Sequence, residues 1–123
     1  MKIRIYYEDT DLGGIVYHSK YLNFCERARS ELFFKKGLSP VFGDYHFVVK
    51  KVEADFISPA KFGDVIVVKT GILESKKASF VLKQVIFKEG EEKEIFSMKV
   101  LIVCMKGEKV SKIPDYFLDP LKS

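Results

Sequence analysis

The stretch SKYLNFCERARSELFFKK, residues 19–36, decides the fold, because its apolar side chains recur at steps of three and four residues. That spacing predicts an amphipathic α-helix of about five turns, ~27 Å long. Its apolar face consists of Tyr21, Phe24, Cys25, Ala28, Leu32 and Phe33. Lys35 and Lys36 suit the negative end of the helix dipole, and Gly37 suits the C′ position. Pro40 then keeps the helix from continuing.

Around this helix the apolar residues alternate in steps of two, which is the period of β-strands. One short strand, from Lys2 to Tyr7, precedes the helix. The strands predicted after it cover residues 47–57, 65–73, 79–87 and 94–105, with turn-rich links at 58–64, 74–78 and 88–93. Such short links predict antiparallel pairing. A single helical turn is expected at 113–118.

The predicted sheet is the only surface large enough to bury the apolar face of the helix. We therefore predict an α+β protein in which a curved antiparallel sheet wraps one long central helix. Residues 1–123 form one domain in this interpretation. The exposed edges and apolar strands of such a sheet favour self-association.

The composition restricts the class of protein. Hydrophobic residues make up 47% and charged residues 31%, which is typical of a soluble globular chain. No apolar run approaches the ~18 residues of a membrane helix, so no integral membrane segment is expected. The acidic turn after MKIRIYY is unlike a signal peptide, and neither Cys25 nor Cys104 belongs to a CxxC motif. We therefore predict a cytoplasmic protein with buried free thiols.

The net charge of +4 is mild, and no nucleic-acid motif accompanies it, so nucleic-acid binding is not predicted.

The segment YYEDTDLGGIVYH, residues 6–18, carries the candidate chemistry. Glu8, Asp9 and Asp11 crowd into four positions although like charges repel, and two glycines follow. The loop ends where the helix begins, and a helix N-terminus presents unpaired N–H groups and a positive dipole end. A carboxylate beside N–H groups that can hold a carbonyl oxygen is suited to acyl transfer.

Metal binding is a weaker interpretation of the same loop. The segment starts like an EF-hand, but the fifth ligand position would be Gly13 and the twelfth would be Lys20. No HxxxH or HxxE pair supports a transition metal. The loop is therefore not predicted to bind a metal ion.

Residues Tyr7–Arg29 follow the pattern Y-x-D-T-D-x-G-G-I-V-Y-H-x-x-Y-L-x-F-x-E-R-A-R. This motif resembles the hotdog-fold acyl-CoA thioesterases, in particular the 4-hydroxybenzoyl-CoA thioesterase type and the bacterial Tol–Pal-associated type. The AlaAspPhe-then-Pro segment at 54–59 and the turn and strand at 76–81 extend the resemblance over nearly the whole chain. It implies a hotdog fold, in which one curved antiparallel sheet surrounds one central helix.

The resemblance also implies roles for individual residues. Asp11 matches the catalytic carboxylate, acting as nucleophile or general base, and a backbone N–H at or next to His18 polarises the thioester carbonyl. The His18 side chain matches a histidine of the Tol–Pal-associated group. Lys76 and Lys77 match basic residues that meet the phosphates of coenzyme A. No cofactor is implied, since coenzyme A is part of the substrate.

Two further residues of the motif are candidates for binding substrate. Gly14 would let a ligand approach the backbone closely, and Tyr17 would line the acyl pocket. Gly13 stands where relatives often carry Ala, Glu or Ser. Asp9 is interpreted as a turn or hydrogen-bonding residue rather than as a second catalyst.

The predicted function is hydrolysis of acyl-CoA to free acid and coenzyme A. An acyl-ACP thioesterase using the same site is the alternative among enzymes. The alternative of another class is a non-catalytic acyl-CoA-binding or scaffold protein, which would have no use for a carboxylate at Asp11. Hotdog relatives build their sites between subunits, which implies a homodimer or homotetramer.

Overall fold

The computed structural model describes residues 1–122. Its elements are β1 (Lys2–Arg4), a 3-10 turn (Tyr7–Asp9), α1 (His18–Phe34), β2 (Tyr45–Phe56), β3 (Val65–Ser75), β4 (Ser79–Lys88), β5 (Glu94–Lys106), β6 (Lys109–Val110) and α2 (Asp115–Lys122). No helix within these residues is long and apolar enough to cross a bilayer.

The strands form one antiparallel sheet in the order β1-β3-β4-β5-β2, and β6 pairs with the end of β5. The register shifts within the β2–β5, β3–β4 and β4–β5 pairs. Such irregularities increase the local twist and bend of strands, which suits a sheet that wraps a helix. β2 lies at one end of the order and, with 12 residues, is a long edge strand.

The apolar face predicted for α1 is confirmed. Tyr21, Phe24, Cys25, Ala28 and Phe33 are buried, and Leu32 packs partly buried against the same core. The side chains that meet them come from the inner face of the sheet, among them Phe80, Leu82, Ile86, Phe96, Met98 and Val100. Helix and sheet therefore share one hydrophobic core, as predicted.

A buried polar connection fixes α1 against the sheet. Gln84 on β4 is fully buried, and its Nε2 donates to the Cys25 carbonyl at 2.9 Å and to the Thr70 hydroxyl at 3.0 Å. Its Oε1 accepts a hydrogen bond of 2.8 Å from Nη1 of Arg29. Burial lowers the pKa of Arg29, although the nearby Cys25 and Glu26 act in the opposite direction. Because a buried amide is costly without partners, this connection disfavours other positions of the helix along the sheet.

The end of α1 follows the predicted glycine rule. Gly37 has a φ of +73°, its N–H donates to the Phe34 carbonyl, and the N–H of Leu38 donates to the Phe33 carbonyl. These two bonds form the Schellman arrangement that ends many helices. The prediction of Gly37 at C′ is therefore confirmed.

The N-terminal strand was predicted too long. β1 ends at Arg4 instead of Tyr7, because the Tyr6 N–H donates to the Asp9 carboxylate at 2.9 Å and the chain enters a 3-10 turn. Tyr7 is consequently exposed rather than aligned with the core face of Ile3 and Ile5. The C-terminal helix α2 is longer than the single predicted turn, and the short strand β6 was not predicted.

Candidate active site

The loop between the 3-10 turn and α1 is closed by hydrogen bonds at its base and its tip. Thr10 and Val16 form an isolated β-bridge at its base. Nearer the tip, the N–H of Asp11 donates to the Ile15 carbonyl at 2.9 Å, and the N–H of Gly14 donates to the Asp11 carbonyl at 3.0 Å. Gly14 has a φ of +78°, a conformation that other L-residues rarely adopt. The predicted glycine turn is therefore present, with Asp11 beside its tip.

The Asp11 carboxylate is exposed, and one of its oxygens is oriented by the loop itself. Its Oδ1 accepts a hydrogen bond of 2.8 Å from the N–H of Gly13. A Cβ placed on Gly13 would lie 3.3 Å from the same oxygen, so a larger residue there would press on the carboxylate. The remaining acceptor positions of the carboxylate face solvent, as a nucleophile or a base requires.

α1 begins immediately after this loop, and its first amides are free to bind a ligand. Tyr17 is the N-cap residue, without a side-chain cap, and its N–H donates to the Asp9 carbonyl at 3.0 Å. Within residues 1–122, the N–H groups of His18 and Ser19 have no hydrogen-bond acceptor. These amides are oriented along the helix axis at the positive end of its dipole. The loop therefore joins an exposed carboxylate to a pair of available N–H donors.

The aromatic residues at the start of α1 are exposed. The His18 ring packs edge-on against Phe56 of β2, with 4.9 Å between ring centroids. Tyr17 is 57% exposed, so it is available to a substrate at this surface. Phe56 also contacts Tyr21 and Phe96, which connects the His18 ring to the core.

Lys76 and Lys77 lie far from this loop within one chain. They follow the last residue of β3, whereas the loop is bonded to the segment just before the first residue of β3. A strand of 11 residues spans roughly 33 Å. The two lysines and Asp11 therefore sit at opposite ends of the sheet. The Nζ of Lys76 also lies 3.5 Å from Oε1 of Glu74, in an exposed ion pair.

The segment before β3 supplies residues that sequence analysis missed. Val16 N–H donates to the Ala60 carbonyl at 2.9 Å, Ile15 bridges to Lys61, and the N–H of Phe62 donates to the Gly14 carbonyl. The Phe62 ring stacks on Tyr7 with 4.3 Å between centroids, so both rings flank the loop. The signal available in the sequence was an aromatic residue, Phe62, within a turn-rich link. Its partner in the loop was not visible in the sequence.

An open groove lies between α1, from Leu22 onward, and the strands β2 and β5. Its apolar lining includes Leu22, Val49, Val52, Met98 and Val100, and Glu26 and Arg29 lie farther along it. Val49 is 51% exposed and Val52 is 37% exposed. Within the described residues 1–122, no three His, Cys, Asp or Glu side chains group closely enough to hold a metal ion.

A curved antiparallel sheet around one helix, with a carboxylate loop at the helix start, is the arrangement expected of thioesterases. The model of the Thioesterase superfamily matches residues 13–95. The chain belongs to this superfamily, which confirms the resemblance and the predicted hotdog fold.

Curated relatives and solved structures agree with this placement. Acyl-CoA thioesterase YbgC of Helicobacter pylori is 48% identical over 87 residues, which cover 71% of this chain and 65% of the relative's length. Acyl-CoA thioester hydrolase YbgC of Escherichia coli O157:H7 is 36% identical over 111 residues, covering 88% and 82%. A probable thioesterase from Bartonella henselae superposes with a TM-score of 0.85 at 32% identity, covering 93% of this chain and 97% of that one.

Proposed function

We propose that this protein hydrolyses the thioester of acyl-CoA, releasing the free acid and coenzyme A. The observation that carries the proposal is the exposed Asp11 carboxylate, held in one closed loop with the free amides at the start of α1. The names of the Helicobacter and Escherichia relatives support the same substrate class. Hydrolysis of this activated ester requires only a nucleophile, an oxyanion donor and water, so the proposal includes no cofactor.

In the proposed reaction the thioester carbonyl oxygen accepts a hydrogen bond from the N–H of His18. Asp11 then attacks the carbonyl carbon to form an anhydride, or it removes a proton from a water that attacks. In both routes the C–S bond breaks, and coenzyme A leaves as a thiolate that takes up a proton. Water supplies the second oxygen of the product acid, or restores the Asp11 carboxylate by opening the anhydride.

The side chains of His18 and Tyr17 and the open space at Gly14 have supporting roles in this proposal. The His18 ring, packed against Phe56, is placed to orient the thioester. Tyr17 covers the acyl group near the start of the groove, and Gly14 leaves room for the pantetheine arm beside the loop. The apolar groove between α1 and β2 receives the acyl chain.

The proposed active assembly is a homodimer or homotetramer. β2 is a long edge strand that exposes apolar side chains, including Val49, Val52 and Phe56. Such an edge is normally covered in a native protein, and a second copy of the chain offers the same apolar edge. Lys76 and Lys77 of one copy would then bind the phosphates of coenzyme A held at Asp11 of another.

We also propose that the protein acts in the cytoplasm. Cys25 and Cys104 are both free and buried, as expected of a chain kept in a reducing compartment.

Thiol release is the direct test of the activity. Purified protein is mixed with short, long and aromatic acyl-CoAs, and with an acyl-ACP, in the presence of a thiol reagent. Release from acyl-CoA above the enzyme-free blank is expected. Release from acyl-ACP alone would show that the substrate is acyl-ACP rather than acyl-CoA, and that the reaction is still thioester hydrolysis. No release from any thioester, together with measurable binding of acyl-CoA, would favour the non-catalytic binder.

A further inference from the structure

Asp9 is a buried acid in a loop of exposed ones. Asp9 is only 3% exposed, whereas the nearby acids Glu8 and Asp11 are exposed. A carboxylate removed from water is costly unless hydrogen bonds and an opposite charge compensate it. An ordinary turn residue would remain at the surface, so the burial of Asp9 calls for a specific explanation.

Asp9 connects both ends of the loop through three hydrogen bonds. Its Oδ2 accepts from the Tyr6 N–H at 2.9 Å, and its own N–H donates to the Tyr6 carbonyl at 3.0 Å. Its carbonyl accepts from the Tyr17 N–H at 3.0 Å. The chain that enters the loop and the residue before α1 therefore both bind to Asp9.

The second carboxylate oxygen of Asp9 is unusual. Oδ1 is buried, and among the side chains of residues 1–121 it is the one nitrogen or oxygen that is buried without a hydrogen-bond partner. The nearest cation is the Lys20 ammonium, 3.9 Å away and partly buried. This distance permits ionic attraction but exceeds that of a hydrogen bond. Lys20 belongs to the first turn of α1, so the attraction acts between the loop and the helix.

We propose that Asp9 is a positioning residue whose ionic attraction to Lys20 holds the Asp11 loop against the first turn of α1. Asp11 follows Asp9 by two residues, and His18 follows Tyr17, so a small change at Asp9 alters the geometry between the carboxylate and the helix amides. Asp9 itself is too buried to contact substrate. The inference rests on the proposed function of Asp11 and His18 and extends it.

Steady-state kinetics of paired variants test this role. Asp9→Asn keeps an oxygen for the Tyr6 N–H but removes the charge, and Lys20→Met keeps the length without the charge. Each change is expected to lower kcat about 10-fold with KM within about twofold, because misplaced groups lose rate more than binding. The double variant should lose no more than either single one, since the pair acts as a unit. Lys20→Arg keeps the positive charge and should retain most of the wild-type kcat. Glu8 is the neighbouring exposed acid, and Glu8→Gln should leave kcat unchanged.

Amide hydrogen exchange provides a readout that needs no activity. In Asp9→Asn and Lys20→Met, residues 5–20 should exchange at least about threefold faster, while β4 and β5 keep their protection. Unchanged exchange in residues 5–20, or additive losses of kcat in the double variant, would overturn the inference. Absence of thiol release in the unaltered protein would overturn the proposed function instead, and exchange would still decide whether the pair holds the loop.

Discussion

At the scale of single residues, Asp9 and Asp11 show how two identical side chains acquire different surroundings. Asp9 is buried and binds the Tyr6 N–H, whereas Asp11 is exposed and binds the N–H of Gly13. The sequence places both in one acidic cluster with nothing to tell them apart except the resemblance to a family. The 3-10 turn at Tyr7–Asp9 makes the difference, because it directs one carboxylate inward and leaves the other at the loop tip.

Asp11→Asn should lower kcat by ~100-fold or more, the lower end expected for losing a general base. Folding should be retained, because Asn keeps the oxygen that accepts from Gly13 and the side chain is exposed. The measurement is steady-state thiol release, with circular dichroism as the control for folding. A variant with near-full kcat would show that another group performs the reaction.

A single turnover in heavy-oxygen water separates the two chemical routes for Asp11. If Asp11 is the nucleophile and water opens the anhydride at the aspartyl carbonyl, mass spectrometry should find the label in the Asp11 peptide. Direct attack by water labels only the product acid. Label in Asp11 is therefore decisive for the nucleophilic route, since opening of the anhydride at its other carbonyl also labels the product.

Cys25 should make the stability of the protein fall in alkaline solution. Burial raises the pKa of this thiol from its ordinary 9.0 to about 12, although the nearby Arg29 opposes the shift. Below pH 9 the thiol is protonated in both states and has no effect. Between pH 9 and pH 12 it ionises only in the unfolded chain, so the free energy of unfolding falls by about 1.4 kcal/mol per pH unit. Urea unfolding at pH 7, 9 and 10 should show this loss in the wild type and a smaller one in Cys25→Ala. Identical pH profiles would contradict the assignment.

At the scale of elements, the parts with a strong apolar period were predictable from the sequence. α1 and the four long strands were found close to their observed bounds, because burial of one face determines the period. The short elements were not predictable in the same way. The end of β1 is set by a hydrogen bond to the Asp9 side chain, and β6 exists only through its pairing with β5. The contact of Lys61 and Phe62 with the loop was also missed, because only tertiary pairing brings them there.

Gly37→Ala should lower the free energy of unfolding by about 1 kcal/mol, because a left-handed φ of +73° is strained for any residue with a Cβ. The space around Gly37 is open, so the loss reports the backbone conformation alone. Gly71→Ala is the matched control. Gly71 lies in β3 without a positive φ and also has open space, so its replacement should be neutral or slightly stabilising. Urea unfolding measures both, and an equal effect of the two changes would argue against the Schellman end of α1.

At the scale of the whole molecule, one chain does not bring together all the residues that we propose to act on substrate. Asp11 lies at one end of the sheet and Lys76 with Lys77 at the other. The proposed dimer resolves this separation if the loop of one copy and the lysines of the next share a site. A monomeric mass in light scattering at micromolar concentration would contradict both the dimer and the shared site.

Mixing of variant subunits tests the shared site directly. Lys76→Ala/Lys77→Ala should raise KM for acyl-CoA more than it lowers kcat, with a smaller effect at high salt. Mixed dimers of this variant and Asp11→Asn should contain one intact site, so part of the low-KM activity should return after the subunits are exchanged. If the mixture shows only the activity of its two components, each site is confined to a single chain. An unchanged KM in the lysine variant at low salt would place the phosphate site elsewhere.

The hydrogen bonds between the loop and residues 60–62 also set the order in which this protein can mature during synthesis. A ribosome that has synthesised only residues 1–40 has made the whole of the loop and α1. The acceptor at Ala60 and the donor at Phe62 do not yet exist at that stage, and Ile57 must still pair with the Ile95 carbonyl of a later strand. Contacts between distant parts of a chain form slowly, because ordering the intervening segment costs entropy. The loop therefore cannot have all of these bonds around it until β5 has been made and has joined the sheet.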